Sequence, residues 1–196
     1  MGACASGTCP LSLNRRVIKP TPFGPVVVVW SSRDGSPKIL RVLLSRPGSS
    51  AEDQAAALYP EFQSSSCAEI DAIAAAIQAF LAGEKVVFSL DGVALDSRPP
   101  FQQAVLRAEH GIPRGSVSSY GLIARHLGKK NGARAVGSAL ATNPFPLIVP
   151  CHRAVRSDGD LGGFQGGRAM KRALLSREGI AFDTAGRVAV PRFHYQ

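Results

Sequence analysis

A cysteine followed directly by a histidine, Cys151-His152, ends the run Asn143-Pro144-Phe145-Pro146-Leu147-Ile148-Val149-Pro150 and opens a basic stretch with Arg153 and Arg156. A thiol beside an imidazole can act as a nucleophile. The thiolate is the reactive form, and cationic neighbours favour it. Most buried cysteines are instead small hydrophobes, and adjacent Cys-His pairs also arise by chance. Two features set this pair apart. Pro150 removes a backbone donor and fixes the approach to the thiol, and positive charge gathers around it. The sequence therefore predicts a thiolate-prone nucleophile at the end of a short buried strand, Leu147-Ile148-Val149.

The elements that must position this cysteine fall into two groups. Val26–Trp30 is a continuous apolar, β-branched run that predicts a strand. The turn residues Arg33-Asp34-Gly35-Ser36 and the run Ile39–Leu44 predict a hairpin. After a polar, Ser-rich stretch, Ser66 and Glu69 form a capping-box pattern. Ile70, Ile73, Ile77, Phe80 and Leu81 then recur at helical spacing up to Gly83. Val86–Leu90 and Val93–Leu95 predict a further strand or hairpin around Asp91-Gly92. Residues 1–20 read as a loose segment, and 21–98 as a small α/β domain with an antiparallel sheet. Pro99-Pro100 marks the boundary. Beyond it the periodicity is helical, with a first helix over Phe101–Glu109. A second helix, capped by Ser118 or Ser119, runs to Leu127, and a third runs from Ala133 to about Thr142. The last two, joined by Gly128-Lys129-Lys130-Asn131-Gly132, form a helix-turn-helix candidate. The third helix is built almost wholly from small residues, with Arg134 its one long side chain. Such a helix packs closely against a neighbouring helix or against a nucleic-acid groove.

Composition narrows the function further. The chain has 196 residues, enough for one large domain or two small ones. No apolar run approaches the roughly 20 residues needed to span a bilayer, and the start lacks a signal-peptide pattern. The expectation is a soluble intracellular protein, cytoplasmic or nuclear. Cys4, Cys9, Cys67 and Cys151 are too irregularly spaced for a disulfide framework. Cys4 and Cys9 read as free thiols rather than half of a metal site. The opening Gly2-Ala3-Cys4-Ala5-Ser6 also fits a lipidation pattern that short runs of small residues often match. The net charge of +9 lies entirely in the second half, since residues 1–98 carry equal numbers of basic and acidic side chains. Concentrated charge of this kind points to a polyanion such as nucleic acid.

Pro150-Cys151-His152-Arg153, preceded by Asn143-Pro144, resembles the acceptor motif of the O6-alkylguanine-DNA alkyltransferases, the methylated-DNA–protein-cysteine methyltransferases. The likeness extends over about residues 99–180. It includes Phe101-Gln102, Ile112-Pro113-x-Gly115, Ser119-Tyr120, Ala133-Arg134-Ala135-Val136-Gly137, Gly166-Gly167, Lys171, Leu174-Leu175 and Glu178-Gly179. The first half resembles the family in layout only. The resemblance implies a ribonuclease H-like α/β domain, a mostly helical domain with a winged-helix-like helix-turn-helix, and a tail over 181–196 without a counterpart. It also implies single-turnover transfer of an alkyl group from O6-alkylguanine in double-stranded DNA to Cys151, with O4-alkylthymine as a second substrate left open. No cofactor or metal is called for, and a monomer is expected.

The resemblance assigns roles residue by residue. Arg134 intrudes where the flipped base has left, while Ala133, Ala135, Gly137 and Ser138 allow a minor-groove approach. Arg125, Lys129 and Lys130 hold phosphates. His152 deprotonates Cys151 through a water, and Glu178 orients His152. Tyr120 donates a hydrogen bond to the leaving base, and Asn143 braces the turn before the active site. Backbone groups near Ala154 and Gln165 read the purine, beside Phe164. Phe164-Gln165 departs from the family's frequent Tyr-Ser, which bears on the alkyl groups that fit. The loop Gly159–Gly167 holds five glycines and is expected to be mobile. A relative that binds lesions without reacting would replace the acceptor cysteine, which this chain retains.

Overall fold

The computed structural model describes residues 13–33 and 36–196. Cys4, Cys9 and the Gly2 pattern lie outside the described residues, as do Asp34 and Gly35 of the expected hairpin loop. The first half carries a four-stranded sheet in the order β3-β2-β1-β4. Its strands are β1 (Asn14–Ile18), β2 (Val26–Arg33), β3 (Ser36–Leu44) and β4 (Gln63–Ser64). Two expectations are corrected here. Residues 14–18 are not loose but form a strand paired antiparallel to β2, Asn14 opposite Trp30. The sheet is mixed, because β4 joins β1 in parallel. Val26–Trp30 is apolar throughout because both sheet faces are covered. Val26, Val28 and Trp30 face the main core. Val27 and Val29 pack on Ala51 and Ala55 of helix α1 (Ala51–Leu58), which the Ser-rich reading missed. Its signal was present, since the Ser50 side chain accepts from the Asp53 amide as an N-cap.

Helix α2 (Ala68–Ala82) ends at Gly83 as expected, but Cys67 holds its N-cap position without a side-chain cap. The predicted capping box is therefore absent. The Ser66 hydroxyl donates to Asp71 instead, at 2.8 Å, and Arg16 of β1 donates to the same carboxylate at 2.7 Å. An ion pair to the sheet thus takes over the helix start. The strand or hairpin expected over 86–95 is also corrected. Val93 makes one bridge to Ile39, and residues 84–90 run as a loop. Their alternating apolar pattern reflects packing on α2 rather than strand pairing. The Phe88 ring meets Phe80 edge-on at 5.8 Å, while Val87 points out, 96% exposed.

In the second half lie α3 (Pro100–His110), β5 (Ser118–Ser119), α4 (Tyr120–His126), α5 (Ala133–Ala141), β6 (Ala154–Val155) and α6 (Gly167–Arg177). β5 and β6 pair in parallel. One apolar cluster runs across Pro99-Pro100. It joins Val28, Ile77 and Phe80 to Val105, Ile123, Val136, Phe145 and Cys151. The tail is packed too. Phe182, Val188, Val190 and Phe193 cover Val117, Val155, Leu161, Leu175 and Ile180, and the Tyr195 hydroxyl donates to the Ala108 carbonyl at 2.8 Å.

Candidate functional site

Cys151 starts a single 3-10 turn, Cys151–Arg153. Residues 147–149 leading to it do not form the expected strand. They make a tight buried turn with Pro146 bridged to Val149, and Leu147 sits at φ 75. That left-handed conformation costs a non-glycine residue of order 1 kcal/mol. Asn143 holds it from inside: its Oδ1 accepts from the Phe145 amide at 2.9 Å and its Nδ2 donates to the Val149 carbonyl at 3.3 Å. The sheet adds a clamp, because the Val42 amide donates to the Pro144 carbonyl at 2.8 Å.

Behind the cysteine, the His152 Nε2–H donates to Glu178 Oε1 at 2.9 Å. Arg153 grips the same carboxylate through Nε and Nη2, at 2.9 and 2.8 Å, and its Nη1 donates to the Ile112 carbonyl. Burial alone would raise the Glu178 pKa. The hydrogen bonds from His152 and Arg153 outweigh it and bring the group down to about 2. His152 is fully buried and its pKa is lowered, chiefly by desolvation, so the ring is neutral at pH 7. Its Nδ1 meets no hydrogen-bonding partner among the described residues, which leaves that nitrogen able to accept a proton. The rings of Phe80 and Phe164 wall the imidazole at 5.8 and 6.2 Å.

The thiol differs from expectation. Burial pushes Cys151 up to about 12, and the Asn143 side chain offsets only part of this. The basic neighbours do not make a resting thiolate, since Arg153 is committed to Glu178 and Arg156 lies out at the surface near Asp160. Desolvation outweighs charges that are already spent.

Cys151 lies in a cavity of about 480 Å³, within the range of roughly 300–1,000 Å³ usual for small-molecule sites. Tyr120, Phe164, Gln165 and Gly163 line it, with Gly137, Leu140 and Ala141 of α5. Arg46 and Pro47, from the turn after β3, complete the rim; the sequence reading did not place them there. Ala154 is not among the lining residues, and its carbonyl accepts from Lys171 Nζ at 2.6 Å. Tyr120 is pushed up to about 12, mainly by burial, so its hydroxyl stays a donor. The glycine loop is anchored. Asp160 accepts from Arg168 at 2.9 Å and from the Gly162 amide at 2.9 Å, and Lys171 reaches the Gly163 carbonyl. Gly162 has φ +66, and a Cβ there would come within 2.9 Å of the Tyr120 hydroxyl, so only glycine lets the loop close on that ring.

Helices α4 and α5 form the expected helix-turn-helix pair. Ser119 caps α4 through the Leu122 amide. Arg125, Lys129 and Lys130 are exposed, as are Ala133, Arg134, Ala135 and Ser138 on α5. Gly137 faces open space at the cavity mouth, with Arg134 three residues earlier on the same helix. Among the described residues, no three His, Cys, Asp or Glu side chains group as a metal site requires. No helix there is long and apolar enough to cross a membrane.

Residues 100–180 match the family model described as 6-O-methylguanine DNA methyltransferase, DNA binding domain. The solved structure of Mycobacterium tuberculosis OGT in complex with DNA superposes with a TM-score of 0.64 at 31% identity, over 84% of this chain and 92% of that one. The chain belongs to the O6-methylguanine-DNA methyltransferase family. Methylated-DNA–protein-cysteine methyltransferases from Methanothermobacter thermautotrophicus and Mycobacterium tuberculosis share 41% and 46% identity with it. Those alignments span 55% and 52% of this chain, and 60% and 61% of the curated relatives' own length. A Pyrococcus kodakaraensis family structure, 22% identical over 86% of this chain and 99% of that one, shares the fold with a TM-score of 0.64.

Two buried ionisable residues of this family member escaped the sequence reading of the site. Lys171 falls within the family-like run and Glu109 ends a predicted helix, and neither position by itself implies a role at the thiol. Both are wholly buried. Glu109 did leave a signal, because an acid in the last turn of a helix opposes the dipole.

Proposed function

We propose that this chain repairs double-stranded DNA by moving an alkyl group from O6 of guanine onto Cys151. The observation that carries the reading is the placement of Cys151 in a base-sized cavity, between the His152–Glu178 pair and the small-residue face of α5. A base enters such a cavity only when flipped out of the stack, at a cost of a few kcal/mol. Arg134 fills the gap it leaves. Arg125, Lys129 and Lys130 bind phosphates without reading sequence. In this reading the first half is ribonuclease H-like, the helix-turn-helix is winged-helix-like, and the protein acts as a monomer.

With the thiol near pKa 12, only about one sulfur in 10⁵ is ionised at pH 7. The proton must therefore leave as the attack occurs. It passes to His152 Nδ1 through a water, and the Glu178 carboxylate stabilises the imidazolium formed. The sulfur lone pair forms the S–C bond, and the C–O6 bond breaks with its electrons going to guanine. Tyr120 donates a hydrogen bond to the departing purine, and holding sulfur in line with the carbon supplies much of the rate. Water does not displace a thioether at a useful rate, so each molecule reacts once. A protein that merely marks lesions has no use for a backed thiol, which favours transfer over that alternative.

Incubation with O6-methylguanine duplex tests the reading by intact and peptide mass. One added methyl on the Cys151 peptide, without a second turnover, is expected. Repeated turnover, or label on Cys67, refutes it.

A further inference from the structure

Glu109 presents a chemical anomaly beside the acceptor turn. It sits in the last turn of α3, wholly excluded from solvent, and among the described residues neither carboxyl oxygen meets a hydrogen-bond donor at bonding geometry. An unpaired buried carboxylate is too costly to persist. Lys171 of α6 is equally buried, and its ammonium donates to the carbonyls of Ala154 and Gly163, at 2.6 and 3.3 Å. The Ala154 peptide, which directly follows the Cys151–Arg153 turn, is shared between them, because its N–H also faces Glu109 and favours its anion. No part of the proposed alkyl-transfer chemistry uses either residue.

We propose that Glu109 and Lys171 are positioning residues for the acceptor thiol, a buried pair in which a neutral carboxyl leaves the ammonium's field free to act on Cys151. The inference rests on the reading of Cys151 as the reacting sulfur.

The charges support this arrangement. Burial pushes Glu109 up to about 8, against the opposing pull of Lys171 and Arg153. Glu109 in turn acts on Cys151, on Tyr120 of α4 and on Tyr195 of the tail, raising the pKa of each. Lys171 lowers that of Cys151. Lys171 itself is brought down to about 8 by burial, with Cys151, Glu109 and Asp160 pulling it back up and Arg168 pushing down. Below pH 8 Glu109 is uncharged, and the ammonium lowers the cost of negative charge growing on sulfur. Above it the carboxylate forms and the ammonium starts to lose its own proton, so that help ends on both counts.

The experiment follows iodoacetamide labelling of the Cys151 peptide in the full chain from pH 6 to 9, by mass spectrometry. Because this probe needs no alkylguanine, a protein that failed to repair DNA would still answer. The ratio of Glu109→Gln to wild-type rates should grow about tenfold between pH 6 and 9, as expected for losing one nearby like charge. Lys171→Met should slow labelling most at pH 6, where the wild-type ammonium is fully formed. A purely structural role would change the rates by the same factor at both pH values, and that outcome overturns the proposal. A measurement on the unsubstituted chain guards against misfolded variants. Carbon-13 NMR of its glutamate carboxyls should show one group titrating near pH 8, where the labelling rate bends. If every glutamate titrates below pH 6, the proposal fails.

Discussion

Glu178 and Glu109 are two glutamates buried beside the same 3-10 turn, and they are held in opposite states. Glu178 receives His152 and both arms of the Arg153 fork, and sits near pKa 2. Glu109 meets no side-chain donor among the described residues, only the Ala154 N–H that faces it, and sits near 8. Both lose water. What differs is whether donors replace it: a desolvated carboxylate survives where a bidentate guanidinium meets it and takes up a proton where none does. The contrast also explains why a cysteine amid arginines stays protonated. Arg153 neutralises Glu178 and has little field left for the sulfur.

The largest test of the contrast is Glu178→Gln. It strands a buried guanidinium and should cost about 3–5 kcal/mol in denaturant unfolding. Removing the imidazole's charge partner should also slow alkyl transfer by about a hundredfold. If this variant unfolds at the wild-type denaturant midpoint, the ion pair does not hold the turn as described. Arg134→Ala should weaken repair of duplex DNA by about tenfold or more, since flipping costs a few kcal/mol. Its reaction with free O6-benzylguanine should suffer far less, whereas Glu178→Gln should lose equally on both. Equal losses for Arg134→Ala would place it in the chemistry beside the glutamates.

A subtler sharpening comes from stability against pH. The Glu178 contribution is complete above about pH 4.5 and disappears as pH falls towards 2. The Glu109 shift has the opposite sign, so its contribution is present below about 4.5 and is lost as pH rises to 8. Glu109→Leu should therefore be more stable than wild type at pH 9, by about 1–3 kcal/mol, with the gap narrowing towards pH 5. Thermal melts at the two pH values check this, and a gap independent of pH would end the comparison. The smallest effect lies outside the core. Lys129→Ala with Lys130→Ala should flatten the log affinity against log salt plot for duplex DNA by about two units, without altering the pH dependence of labelling at Cys151. A changed pH dependence would show that the outer charges reach the sulfur.

Much of the candidate site was legible from the sequence because its residues are local or tied to a motif. Cys151, His152 and Asn143 lie within one short run, and the α4–α5 pair followed from Ser119, the Gly-Lys-Lys turn and the small residues of α5. Misreadings arose where a pattern had two physical sources. Residues 86–90 alternate like a strand because α2 supplies an apolar shelf on one side. Leu147-Ile148-Val149 is apolar like a strand, yet Asn143 satisfies the backbone of a turn in its place. Asn14–Ile18 carries two arginines and no clean alternation, and becomes a strand because β2 and β4 leave a place between them.

The order of residue types along the chain determined by itself which atoms could react: one sulfur with an imidazole next to it, on a basic half able to meet a polyanion. Composition and covalent neighbours settle that much. Ionisation was decided only by the tertiary structure. A pKa depends on which charges and donors reach a group once water is removed, and Glu178, Glu109 and Lys171 come to Cys151 from helices distant in sequence. Arg46 and Pro47 join the cavity from the other half for the same reason, because proximity in space is a property of packing.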